Sequence, residues 1–350
     1  MRRKFIPFIA TVIAFIITLA GCSCTGTSTL VFNDNFVGEG AETYPYSETL
    51  TYDVKYIESY NTVFYKSEEI TDDVLDIDMT GEYTVTLNAV SLQETEALKD
   101  IESDLLSDDM EVGSFIYHLH TELNLKTNYS SKNTIYQKDE DFLKEIKNNE
   151  EYIETDAYFL TSGYSFNPIY SKTKASTSYV MIGGSSNLYI DFLEYTSETK
   201  YNKNNYSMTT KYDSGTPIKN EQDYTFRTAI DNNMLLFALR NINIEVDENY
   251  ILDVISPTYE TPQSIKVVNN EENETNFTIN ENTEAIKYKK YSFVRNVASA
   301  TGFPQYAFIQ NSKTSKLENK SLLLEYVSTL NPQNSYLCLG GMQYKLKSVE

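Results

Sequence analysis

From residue 50 onward the chain alternates between apolar and polar residues with a period of two. Leu50, Tyr52, Val54 and Tyr56 are separated by Thr51, Asp53 and Lys55, the pattern of a strand with one buried face. The same alternation predicts strands over residues 81–89, 115–125, 179–182, 188–192, 206–212, 265–268, 285–294 and 322–327. Residues 336–339 and 342–346, split by Gly340 and Gly341, predict a closing hairpin with the glycine pair at its turn. Helical spacing is rare. It predicts short helices over 94–106, over 139–147 with Asp139 as cap, and over 232–240. The last is the strongest: Asp231 caps it, and Met234, Leu235, Leu236, Phe237, Ala238 and Leu239 make it apolar nearly all round, so it must be buried. Residues 269–282 are acidic and rich in Asn, and read as an exposed loop. Many strands with scattered helices predict a mainly β fold built on a large antiparallel sheet.

The amino end follows a different pattern. Met1-Arg2-Arg3-Lys4 is basic, and residues 5–20 are apolar apart from Pro7, Thr11 and Thr18. Leu19-Ala20-Gly21-Cys22 follows, with small residues before a thiol. A basic start, a short apolar run and small residues describe a secretory signal peptide. The run is short for a transmembrane helix, which needs about 20 apolar residues. The ending resembles the lipobox of bacterial lipoproteins. That resemblance implies cleavage of residues 1–21, diacylglycerol on Cys22, and tethering to the outer face of a membrane. Two acyl chains suffice for stable anchoring. Residues 22–45, small, polar and acidic with Gly38, Gly40 and Pro45, then form a flexible tether. Residues 46–350 form a β-rich extracytoplasmic body, as one unit or two subdomains.

Within that body, Ile230-Asp231-Asn232-Asn233-Met234-Leu235-Leu236-Phe237-Ala238-Leu239-Arg240, then Tyr250-Ile251-Leu252-Asp253-Val254-Ile255, Thr301-Gly302-Phe303-Pro304 and Tyr344-Lys345-Leu346 occur in order. This order resembles uncharacterised envelope proteins related to lipoprotein-carrier half-barrels. The resemblance implies a curved antiparallel sheet or half-open barrel and an apolar or amphipathic ligand. It brings no catalytic residue.

Charge narrows the partners. The chain carries 29 basic and 50 acidic residues, a net charge of −21, and loss of the signal would make it more negative. Such a body is repelled by nucleic acid and by anionic headgroups. Of three cysteines, Cys22 is assigned to lipid; Cys24 and Cys338 could make one bridge, which spacing does not support, and one pair is not a disulfide framework. The 29 tyrosines and 17 phenylalanines suit strands with one wet face, and the absence of tryptophan argues against a sugar-stacking platform.

Few residues suggest chemistry. His118 and His120 are the only histidines. At i and i+2 in a strand they share a face, and Glu122 continues it. Those three would be the ligands of a zinc or copper ion, but the favoured reading is a plain wet face opposite buried Tyr117, Leu119 and Thr121, with no metal and no cofactor. Ser171-Lys172-Thr173-Lys174 and Ser197-Glu198-Thr199-Lys200 match the Ser-x-x-Lys pattern of penicillin-recognising enzymes, and Ser185-Ser186-Asn187 echoes their second motif. The Lys-Thr-Gly motif is missing and neither match opens a helix. Asp72-Asp73 and Asp76-x-Asp78 are acidic pairs of the kind that serve hydrolases or calcium, and read as solvated surface. No catalytic residue is assigned. The expectation is a lipid-anchored, non-catalytic protein that binds an apolar ligand or an envelope protein, or that helps assemble the envelope. The alternatives are a carboxylate-dependent envelope hydrolase and a purely structural component.

Overall fold

The computed structural model describes residues 47–58, 63–65, 68–70, 75–90, 98, 115–131, 146–162, 165–182, 188–202, 205–213, 218–223, 229–240, 244–255, 263–295, 306–311, 321–330 and 340–350. The signal, the tether, all three cysteines, Asp72-Asp73, Ser185-Ser186-Asn187 and the Thr301–Pro304 stretch lie outside them. So does the 94–106 helix apart from Leu98, and the 139–147 helix apart from its end.

The strands are β1 (Ser47–Glu58), β2 (Val63–Tyr65), β3 (Glu68–Ile70), β4 (Leu75–Val90), β5 (Phe115–Ser131), β6 (Ile146–Ser162), β7 (Ser165–Ile182), β8 (Leu188–Tyr201) and β9 (Asn205–Tyr212). They continue with β10 (Ile218–Asp223), β11 (Ala229–Asp231), β12 (Asn249–Ile255), β13 (Gln263–Ile279), β14 (Asn282–Arg295), β15 (Tyr306–Gln310), β16 (Leu323–Leu330) and β17 (Gly340–Val349). Fifteen form one sheet in the order β10-β9-β8-β7-β6-β5-β4-β1-β17-β16-β15-β14-β13-β12-β11. Among the described residues, only β2 and β3 stand apart, as an antiparallel pair. Within the large sheet every neighbouring pair is antiparallel except β11–β12. The sheet is not closed: β10 and β11 are its edges. The mainly β, large antiparallel architecture is therefore as the alternation predicts.

The sheet curls around residues 231–240. After Asp231 a single 3-10 turn (Asn232–Met234) leads into α1 (Leu235–Leu239). Asp231 accepts a hydrogen bond from the backbone amide of Asn233 at 2.9 Å, as a cap should. Met234, Phe237, Ala238 and Leu239 are buried. The Phe237 ring lies 5.3 Å from that of Phe159 on β6. Asn233 donates to Thr173 on β7, and Arg240 donates to the carbonyl of Ser321, just before β16. In the sheet order β7 and β16 are six strands apart. Laid flat, they would be separated by about 29 Å, at about 4.8 Å per strand. Asn233 and Arg240 are seven residues apart, about 11 Å along a helix axis, so their side chains reach both strands because the sheet bends round the segment.

Three expectations are corrected. Residues 269–282 are not a loop. They lie mostly in β13, with the turn at Asn280 and Glu281, both at positive φ, closing a hairpin to β14. Acidic residues of β13 face lysines of β14, Glu271 opposite Lys290, Glu272 opposite Lys289 and Glu274 opposite Lys287. These opposite-charge pairs support the stretch of the strand that has no apolar alternation of its own. Gly340 and Gly341 are not a turn but the first residues of β17. Gly340 sits at φ +142°, and a Cβ there would stand 2.4 Å from the carbonyl oxygen of Ile57. Finally, Ile146 and Lys147, predicted to end a helix, begin β6.

A helix packed this way behaves as part of the core. Phe237→Ala should destabilise the protein by about 3–5 kcal/mol through lost transfer energy and a residual cavity. Denaturant unfolding measures it, and a loss below about 1 kcal/mol, within reach of an ordinary surface change, would reject the buried plug.

Candidate functional site

β5 and β6 pair so that His118 stands opposite Tyr158, His120 opposite Asp156, and Glu122 opposite Glu154. Tyr117, Leu119, Thr121 and Leu123 are buried on the inner face. Strand alternation therefore sets His118, His120 and Glu122 together on the outer face, as their spacing predicts. The neighbouring strand adds a residue that spacing along the chain could not supply. One carboxylate oxygen of Asp156 lies 2.7 Å from Nε2 of His118 and 2.9 Å from Nδ1 of His120. The other nitrogen of His120, Nε2, lies 3.0 Å from Glu122. Glu122 thus reaches the back of the His120 ring and Asp156 its front.

The surroundings hold this arrangement in place. The His118 ring stacks on Tyr158, with centroids 4.6 Å apart and planes at 8°. Tyr158 joins Leu98, Ile116, Ile169 and Tyr170 in a small apolar cluster on this side of the sheet. On the next strand Lys172 stands opposite Asp156 but reaches Glu198 at 3.5 Å. His118 and His120 are about one quarter exposed. Donation from His118 holds the Asp156 carboxyl below its usual pKa, against the opposing effect of burial. Burial disfavours charge on His120, but its bonds to Glu122 and Asp156 outweigh this and raise its pKa. The ligating atoms of His118, His120 and Asp156 lie within 4.8 Å of one another, as do those of His120, Glu122 and Glu154. Both sets have the donor types of a transition-metal site.

The other candidate residues are not brought together. Ser171 lies in β7 and is buried, donating to Asp231 at 3.2 Å, while Lys174, three residues on, is exposed on the opposite face. Ser197 is buried in β8 and shares a hydrogen bond with Thr210. Neither Ser-x-x-Lys has the helical turn that would place its lysine beside its serine. Asp76 and Asp78 are exposed on β4, and Asp78 accepts from Asn128 at 3.4 Å. The buried carboxylates are each held by a separate set of donors. Glu48 meets Arg240, Glu151 meets Ser178 and Asn149, and Glu325 accepts from Tyr306 and Gln343.

No family model matches the chain, and no curated protein does. Among solved structures it is similar to a β-barrel-like protein of a domain of unknown function from Brucella abortus. The identity is 8%, the TM-score 0.43, and the match covers 87% of this chain and 97% of that one.

Asp231 is a buried cap whose charge the fold disfavours. Burial pushes its carboxyl up to about 6, against the bonds from Asn233 and Ser171. The folded state therefore holds this proton more tightly than the unfolded chain. Its contribution to stability falls as pH rises from about 4 to about 6 and is level above that. Asp231→Asn keeps an acceptor for the cap without the charge. Its stability relative to the parent protein should rise across that window and then plateau, measured by denaturant unfolding at several pH values. A difference that stays flat from pH 4 to 7 would contradict the raised pKa.

Proposed function

We propose that the protein is a lipid-anchored, extracytoplasmic binding protein that recognises an envelope protein through the outer surface of its sheet. The observation that supports this most is the filling of the sheet's concave side by the chain's own residues 231–240. Phe237, Ala238 and Leu239 are buried there, so the chain's own side chains fill that space. This favours a protein partner over an enclosed apolar ligand. The anchor rests on the basic start, the apolar run and Leu19-Ala20-Gly21-Cys22. A net charge of −21 holds the body off anionic headgroups while the lipid holds it near them. The individual buried carboxylates, each tied to its own donors, suit structural roles better than the paired acid and base of a hydrolase.

Replacing Cys22 with Ser tests the anchor, since a hydroxyl does not replace the thiol in lipid transfer. Metabolic labelling with palmitate should mark the parent protein and leave Cys22→Ser unlabelled and unprocessed; equal labelling of both would refute the anchor. Native mass spectrometry of the parent protein released from its own membrane tests the binding mode. A retained protein partner is expected. Stoichiometric retained lipid would show instead that the helix yields its place to an apolar ligand.

A further inference from the structure

We propose that His118, His120 and Asp156 bind one divalent transition-metal ion, of the zinc or copper type, on the outer face of β5 and β6. This goes beyond the anchoring and partner binding above and stands independently of them.

The argument starts from donor geometry. Nε2 of His118 and Nδ1 of His120 converge on one oxygen of Asp156, at 2.7 and 2.9 Å. The three residues each offer a ligand atom within 4.8 Å of the others'. Around a tetrahedral ion with bonds of about 2.0–2.2 Å, neighbouring donors stand about 3.4 Å apart. Small side-chain rotations, opening the Asp156 contacts by about 0.5–0.7 Å, would therefore admit the ion without moving the backbone. The strand ladder fixes the spacing: His118 and His120 are two residues apart on β5, and Asp156 is the cross-strand partner of His120.

The groups behind these donors also match a metal site. A ligating imidazole normally gives its second N–H to a carboxylate, which fixes its tautomer and orientation. Glu122 stands 3.0 Å from Nε2 of His120, the nitrogen that faces away from Asp156. His118 has its ring plane set by stacking on Tyr158. Lys172, the cation nearest in register to Asp156, reaches Glu198. This leaves the Asp156 carboxylate to the two imidazoles.

The donor set chooses among metals. Two imidazoles and a carboxylate suit zinc, copper and nickel, whereas calcium and magnesium prefer oxygen donors throughout. The alternative group of His120, Glu122 and Glu154 offers one nitrogen and competes for the same histidine. The set with two nitrogens is the more selective. Three protein ligands leave a coordination position open to water on the solvent side.

Calorimetry and thermal unfolding of the purified protein with zinc, copper(II), calcium and magnesium test this. Zinc and copper(II) should bind one per chain and raise the melting temperature, because an ion held only by the folded state stabilises it. The rise should disappear in His118→Ala, His120→Ala and Asp156→Asn, and Glu122→Gln should weaken binding by about 10–100-fold. All four side chains lie on the partly exposed outer face, and circular dichroism checks that each variant folds. Cobalt(II) adds a second readout: the parent protein should show the intense visible bands of a low-coordinate site, and His118→Ala should lose them. The proposal is overturned if zinc does not bind, if binding survives unchanged in the histidine variants, or if calcium matches zinc.

Discussion

The fold turns on one buried ion pair. Arg240, at the end of α1, meets Glu48, at the start of β1, and both side chains are almost fully shielded from water. They lie 192 residues apart in sequence. Arg240 also donates to the Ser321 carbonyl and packs over the Phe237 ring. The helix is thereby tied to the middle of the sheet through Glu48 and to the approach to β16 through Ser321. Its other end is tied to β7 through Asp231 and Asn233. Apolar residues could pack against a curved sheet in several orientations. Two charges buried together allow only the orientation that brings them into contact, because either one left alone would carry a large desolvation cost. The pair therefore specifies where the helix sits. The sheet curls round the helix in that position.

That curl also divides the molecule's two faces. Inside, the sheet is apolar around α1 and lined with hydroxyls across β6 to β9, where Thr173 also accepts from Asn233. Thr155 bonds Thr173 and Ser197 bonds Thr210, all four buried. Outside, it carries rows of paired charges, and His118, His120 and Asp156 stand in one of them. The inside is thus committed to holding the fold, and the recognisable chemistry is left to the outside.

The strands legible in the sequence were those whose inward residues are apolar. β1, β4, β5 and β9 are of this kind, and their alternation locates them closely. β6 and β7 were largely hidden. Their inward positions include Thr155, Ser171, Thr173 and Ala175, so hydropathy shows no period of two there. The acidic middle of β13, beyond the legible 265–268, was hidden for the opposite reason. Much of its length is exposed on both faces, and what holds it is a row of lysines on β14. β1 begins earlier than its pattern suggests because Glu48 points inward, where a carboxylate makes sense only beside Arg240. At the candidate site, two histidines at i and i+2 announced a shared face. Asp156, one of 50 acidic residues, carried no such signal. Only strand register places it against the imidazoles, and Glu122, the ligand that spacing favours, takes the outer position.

A double-mutant cycle on Glu48 and Arg240 tests the central claim most directly. Glu48→Gln and Arg240→Met should each cost about 3–5 kcal/mol, since each leaves a buried charge without its partner. The double variant should be more stable than the sum of the two losses implies, by more than about 1 kcal/mol. Single losses near zero, or effects that add to within about 0.5 kcal/mol, would show that the pair does not set the position of the helix.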